Sequence, residues 1–404
     1  MSRALSSLLP RTPGEIVYAL LVAGMLSGML LSVPLWMTGR GFPHLPLIPF
    51  IQPFPAPLDA IFFWITFFLL ALSVFSRRNR WGAIGCCVLL ALQDQVRWQP
   101  WFYQYLLLMT AGMILQDRNA PSFLFVCRIF LICLYFWSGV HKLNAGYANL
   151  YEATFVQPLS SLWPGWAVEA VRRAGPVSPW LEIATAVALC FRPTRRWGIA
   201  AAILTHVAIL LMIGPPGTFR NTVIWPWNLI MPALAVILFR RAPELGWKSV
   251  DGPRPRIAAA LIILCAGVFP AFSFKESWDR YLSFKLYAGD ERRLVLVVDE
   301  QASKALPESW RVHLLKSTHH PDAWELGFLE WALEELNVPG PADDRHLLAL
   351  AKKCARMKFA SAGRVLFYID YPFRMQERGW LTLTPEEILK LRAFPPLQKP
   401  AGSP

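Results

Sequence analysis

Nine separate apolar runs, and not any catalytic motif, set the limits on what this chain can fold into. The first, Ile16–Met37, is about 22 residues without a charge, long enough to cross a bilayer. It follows Arg3 and Arg11 and is not closed by a small-x-small cleavage site, so it reads as a retained helix and not as a removed signal peptide. Further runs follow at about 58–76, 81–93, 101–116, 123–143, 179–191, 197–213, 221–239 and 257–273. A proline-rich link (Pro43, Pro46, Pro49, Pro53, Pro55, Pro57) joins the first two and suits an extended path at the interface. Only 17% of the residues are charged, where a soluble protein of this size carries roughly 25%. The fold expected is an α-helical polytopic membrane bundle of nine spans, or eight if a short run such as 81–93 or 179–191 is re-entrant.

Charge placement orients the bundle. With the N-terminus inside, the inner loops receive Arg77, Arg78, Arg80, Arg118, Arg192, Arg195, Arg196, Arg240, Arg241, Lys248, Arg254 and Arg256. The outer side receives Arg40, Arg97, Arg172, Arg173 and Arg220, besides Lys142. That is the positive-inside pattern, and it points to a bacterial inner membrane with the C-terminal segment periplasmic. Residues 1–273 hold 21 Lys/Arg against 9 Asp/Glu, whereas 274–404 are nearly balanced. The basic excess therefore belongs to loops between spans, and no nucleic-acid surface is expected.

Residues 274–404 read as a small extracytoplasmic α/β domain, in which a protein partner can dock. Arg293–Asp299 and Arg364–Asp370 are strand-like, and Trp324–Leu336 has helical spacing stopped by Pro339-Gly340. Thr384-Pro-Glu-Glu387 is a capping box that opens a last short helix. Six of the seven cysteines lie in apolar runs, so structural disulfides are not expected. His319, His320 and Asp322 have no recognised ligand spacing, and no metal is expected from spacing alone.

On this topology, polar residues distant in sequence fall at one depth near the outer face. Asp94 and Arg97 end the third run, and His141, Lys142 and Asn144 end the fifth. Glu182 enters the sixth, His206 lies past the middle of the seventh, and Arg220 and Asn228 open the eighth. An ammonium at mid-bilayer costs roughly 2.5–3.5 kcal/mol on insertion scales, so each such group needs a partner or a route to water. Each also has an ordinary explanation. Lys142 can snorkel, Asp94 and Arg97 can pair locally at i, i+3, Glu182 can favour a helix N-terminus, and His206 can be a hydrogen-bonded structural histidine. Their shared depth is the argument for a common pocket.

The stretch Tyr135-Phe-Trp-Ser-Gly-Val-His-Lys-Leu-Asn-Ala-Gly-Tyr147 resembles the Tyr-Phe-Tyr-Ala-Gly-Val-Lys-Lys-Leu-Asp-Ala-Asp-Trp segment of vitamin K-dependent gamma-carboxylases. Bacterial members of that superfamily carry the horizontally transferred transmembrane (HTTM) domain, and DoxX-like membrane proteins share a looser version. Asp94-Gln-Val-Arg-Trp-Gln-Pro-Trp-Phe-Tyr-Gln-Tyr105 is similar to a second segment of the family, and the resemblance spans about residues 81–240. It implies Lys142 as a general base acting on a quinol, with His141, Asp94, Glu182 and His206 orienting it or relaying its proton. The pocket read from shared depth, with its aromatic lining, would suit a quinone-like or other lipid-soluble substrate held by Arg97, Trp98, Trp101, Tyr105, Trp137, Asn144, Arg220 and Asn228. The pattern departs from the family at Trp101, at His141 and around Thr205-His-Val-Ala-Ile209, and the large luminal domain is replaced by about 130 residues. Glutamate carboxylation itself is therefore not expected. Three roles follow: a membrane enzyme of lyase or oxidoreductase type, a non-catalytic scaffold presenting the C-terminal domain, or a carrier for a small acid.

Overall fold

The computed structural model describes residues 12–48, 50–115, 121–246, 250–317, 320–374 and 377–395. Arg3, Arg11, Arg118, Lys248 and His319 lie outside them. Thr12 opens the first helix, α1 (Pro13–Leu31), through a capping box: its hydroxyl accepts from the Glu15 amide at 3.3 Å, and Glu15 accepts from the Thr12 amide at 3.2 Å. Proline at the first helical position costs nothing there, because that amide has no helical partner. The later apolar runs form α2 (Leu58–Ser73), α3 (Arg77–Leu92), α4 (Pro100–Leu115), α5 (Pro121–His141), α6 (Ser178–Cys190), α7 (Arg195–Ile213), α8 (Ile224–Phe239) and α9 (Pro253–Lys275). The last of these passes through a π segment and a final 3₁₀ segment.

Among the described residues, four of these helices (α1, α5, α7 and α9) are long and apolar enough to cross a membrane. This is fewer than the nine runs suggest. The other runs are helical but shorter, at 16 residues for α2 to α4 and α8 and 13 for α6. A 16-residue helix extends about 24 Å, short of a hydrocarbon core of about 30 Å.

Close packing in the bundle depends on small residues. Gly24 and Gly28 on α1 form a groove that takes the rings of Tyr105 and Trp101 from α4. A Cβ on Gly24 would lie 2.3 Å from Tyr105 Cζ, and one on Gly28 would lie 2.5 Å from Trp101 Cζ3. Gly139 of α5 similarly meets the Pro179 carbonyl of α6. Small residues that let helices approach are the usual device where lipid supplies no hydrophobic drive between helices. Gly28→Ala is therefore expected to destabilise the protein by about 1–3 kcal/mol through overpacking, read as a lowered melting midpoint in detergent. An unchanged midpoint would show that the groove has slack.

The C-terminal segment builds a five-stranded antiparallel sheet in the order β2-β3-β1-β4-β5. Its strands are β1 (Arg293–Asp299), β2 (Leu315–Lys316), β3 (Ala323–Gly327), β4 (Val365–Arg374) and β5 (Glu377–Leu383). Helices α10 (Phe328–Leu336), α11 (Asp344–Ala355) and α12 (Pro385–Lys390) accompany it. Alternation along β1 puts Leu294, Leu296 and Val298 in the core with Leu326, Phe367 and Ile369. The helical reading of Trp324–Leu336 is corrected: Ala323–Gly327 pairs with β1, and the helix starts only at Phe328. Apolar spacing in 324–327 fits either element, and the partner strand decides it. The Thr384 capping box is present as expected.

This segment is seated on the bundle by specific bonds. Glu335 accepts from the amides of Gly41 (2.5 Å) and Phe42 (2.8 Å). Asn337 donates to the Leu31 carbonyl at 2.9 Å and to Thr222 at 2.6 Å. Gln99 donates to the Pro339 carbonyl at 3.1 Å, and Phe42 packs edge-on against Trp331.

Candidate functional site

Helix α5 sets Tyr135, Ser138 and Lys142 at i, i+3 and i+7, which share one face of a helix. Glu182 faces them from the first turns of α6, held close by the Gly139 contact. Lys142 Nζ donates to both Glu182 oxygens at 2.8 Å and to Ser138 Oγ at 2.9 Å. The two side chains are 12% and 10% exposed. Three donors meet three acceptors, so the ammonium is fully used and presents no lone pair in this arrangement.

Behind the pair, His206 of α7 bridges two neighbours. Its Nδ1 lies 2.8 Å from Asn228 Oδ1, and its Nε2 lies 2.9 Å from the Tyr135 hydroxyl. Asn228 donates its amide nitrogen to the Ile224 carbonyl at 2.8 Å, which leaves Oδ1 as an acceptor. The histidine must then carry its proton on Nδ1 and accept from Tyr135 at Nε2. Lys142, Glu182, His206 and Asn228 thus converge from four helices. Ser138 and Tyr135 complete the set; both stood in the quoted motif, and the signal for Ser138 was its place one turn before Lys142.

The remaining predicted residues lie elsewhere. His141 turns to the opposite side of α5, where its Nε2 lies 3.0 Å from Ser273 Oγ and its ring stacks on Trp137. Trp137 donates to the Gly267 carbonyl. Asn144 caps the short helix Ala145–Tyr151 and donates to the carbonyls of His141 and Ala288. Trp101 and Tyr105 fill the glycine groove of α1 and are 1% exposed. Trp98 donates to the Ala91 carbonyl, and Arg220 is exposed.

Asp94 and Arg97 form a second, separate cluster, and they do not make the expected direct bond. Asp94 caps the turn Gln95–Arg97, accepting from the Val96 amide at 3.2 Å, which aims its carboxylate at the preceding loop. There it binds the Arg40 guanidinium, His44 Nδ1 at 3.1 Å and the Leu45 amide at 3.3 Å. Arg97 instead turns back into a ring of carbonyls, from Leu35, Trp36 and Leu90, together with Gln93 Oε1. Burial works to raise the Asp94 carboxyl, but Arg40, His44 and Arg97 outweigh it and hold the group well below the usual carboxylate range.

Comparison with known proteins corrects the resemblance drawn from the motif. Residues 120–215 match the family described as Methylamine utilisation protein MauE, a different membrane family from the gamma-carboxylase, HTTM and DoxX-like groups. The short aromatic-Gly-Lys-Leu signature misleads because glycine for close helix contact and a lysine at a helix end recur wherever membrane helices pack and terminate. No match was found among curated proteins or solved structures. The matched segment runs through α5, α6 and α7, which supply Tyr135, Ser138, Lys142, Glu182 and His206. Family likeness over that segment, together with four helices of spanning length, identifies the chain as an integral membrane protein that is similar to MauE across residues 120–215.

Proposed function

We propose that this chain handles protons for a lipid-soluble, quinone-like molecule at the Lys142–Glu182 pair, in a bacterial inner membrane with the C-terminal sheet on the periplasmic side. The observation that carries this reading is the nearly buried ion pair backed by the Tyr135–His206–Asn228 chain, all but Asn228 within the segment that matches the MauE family. Leu143, next to Lys142 in the chain, is 43% exposed, so a hydrophobic ring can approach the pair across an apolar surface. Orientation is supported by the arginines: Arg77, Arg78, Arg192, Arg196, Arg240, Arg241, Arg254 and Arg256 gather at the α2–α3, α6–α7 and α8–α9 connections, on alternate loops of the chain.

In the proposed cycle Glu182 takes a proton from Lys142 and the neutral amine accepts the proton of a quinol hydroxyl, leaving a quinolate paired with the ammonium; Glu182 then releases its proton to water, which resets the pair. Ser138 holds the nitrogen in place. Tyr135, His206 and Asn228 fix the polar side of the centre. The name of the matched family suggests a place among the proteins of methylamine utilisation.

The test is the quinone content of protein purified in detergent, compared with Lys142→Ala and Glu182→Gln. Bound quinone in the wild type that falls at least tenfold in both variants is the expected result. Equal content in all three would remove the reading. Two further roles are separate outcomes: Lys142-dependent uptake of a small acid by proteoliposomes would make the protein a carrier, and retained function in both variants would favour a scaffold.

A further inference from the structure

Where the C-terminal segment meets the bundle, three side chains from distant parts of the chain bring their ligand atoms together. Asp279 follows α9, Asp343 precedes α11, and His346 stands in its first turn. One atom from each lies within 4.8 Å of the other two. His346 Nδ1 is 3.6 Å from Asp343 Oδ2 and 3.9 Å from Asp279 Oδ2. Ligand atoms around a tetrahedral zinc, each about 2.0–2.1 Å from the metal, stand roughly 3.3 Å apart. The two edges at His346 are thus within about 0.3–0.6 Å of that spacing, and side-chain rotation can close the rest.

A fourth group faces the cluster from the bundle. Gln95, 6% exposed, donates its amide nitrogen to Asp279 Oδ2 at 2.8 Å, while its buried Oε1 has no hydrogen-bond partner. A buried amide oxygen without a donor costs free energy, and a cation beside Asp279 would satisfy it. Asp279 and Asp343 are 3% and 7% exposed; they accept from the amides of Tyr281, Leu282 and Arg280, and a dication between them would offset the charge that neutral donors leave. Arg345 stands 3.5 Å from Asp279 Oδ2, with a side chain that is 57% exposed. Gln95 and His346 also line a cleft of about 530 Å³ with His44, Leu45, Lys353 and Met357, which gives an ion a route in.

We propose that Asp279, Asp343 and His346, with the Gln95 carbonyl as a fourth ligand, form a site for a divalent transition-metal cation of the zinc type that ties the C-terminal segment to the bundle. Two carboxylates, an imidazole and an amide oxygen suit zinc or manganese better than a thiolate-seeking ion. The ligands come from both sides of the junction, so the metal acts as a clamp.

The experiment uses the full-length protein in detergent, stripped with a chelator and titrated with zinc chloride at pH 7. One zinc per chain is expected, with affinity reduced at least tenfold by His346→Gln and several-fold by Gln95→Ala. Zinc should raise the melting midpoint of the wild type and leave that of His346→Gln unchanged. X-ray absorption should show a shell of nitrogen and oxygen only. Absence of stoichiometric zinc, which would leave the two aspartates sharing a proton, overturns the proposal. So does binding that survives both substitutions, or a shell containing sulfur. If His346→Gln fails to fold, Gln95→Ala and the absorption shell decide the question.

Discussion

Lys142→Ala lowers the stability of the protein by about 3 kcal/mol, and Lys142→Met combined with Glu182→Gln restores most of it. The single substitution leaves a carboxylate that is 10% exposed without its counter-charge. Breaking a buried pair from one side costs about 3–5 kcal/mol, and the lower end applies because both groups keep a little contact with solvent. The double substitution removes both charges. Glutamine at residue 182 keeps the shape of the glutamate without its charge, while methionine fills the volume of the lysine stem. Replacement of a buried pair by groups of similar shape is often neutral. Stability and function should therefore separate. Melting midpoints in detergent follow the pair, falling in Lys142→Ala and recovering in the double variant, whereas bound quinone is absent from both. If the double variant is as unstable as the single one, the ion pair is not what holds α5 against α6. If it regains quinone as well as stability, Lys142 does not touch the ligand.

What the sequence makes legible is depth, and what it hides is direction. Lys142 and Glu182 were placed at one level by the charge pattern alone, and the structure joins them at 2.8 Å. His141 stands at that same level yet faces Ser273 on the far side of α5, because neighbouring residues on a helix point about 100° apart. Trp101 and Tyr105 have the composition of a ring-binding wall. Their actual surroundings depend on Gly24 and Gly28, some eighty residues earlier, which only a known helix pairing reveals. Arg97 shows a further limit. Spacing i, i+3 to Asp94 suggests a pair on a helix, but residues 95–97 form a capped 3₁₀ turn, and the capping carboxylate folds over the leading amide at Val96 while Arg97 leaves from the turn's other end. Arg40 and His44, the true partners of Asp94, lie in a loop without periodicity. The trio Asp279, Asp343 and His346 is illegible for the same reason: two of its members adjoin in sequence, and the third is brought in only by the seating of the sheet on the bundle.

The second large effect is expected at Asp94. Asp94→Ala should destabilise the protein by about 3–5 kcal/mol, because it strands Arg40, whose side chain is 1% exposed, beside the fully buried Arg97. It also removes the acceptor for the Leu45 and Val96 amides, so the loop over residues 40–45 loses its tie to the end of α3. Asp94→Asn keeps an acceptor for those amides and should cost less. The wild type also carries a pH signature of known sign. The Asp94 carboxyl sits below its ordinary value of 3.8 in the folded protein. Between those two values the unfolded chain binds the extra proton, so stability falls as the solution is acidified through that window. The contribution is complete above about pH 5 and is lost progressively below about pH 4. Melting midpoints taken from pH 6 to pH 3 should therefore fall more steeply for the wild type than for Asp94→Asn, which has no proton to take up at residue 94. Parallel profiles would mean that Arg40 and His44 find other partners once the carboxylate is gone, and that the second cluster is held by packing around Arg97 alone.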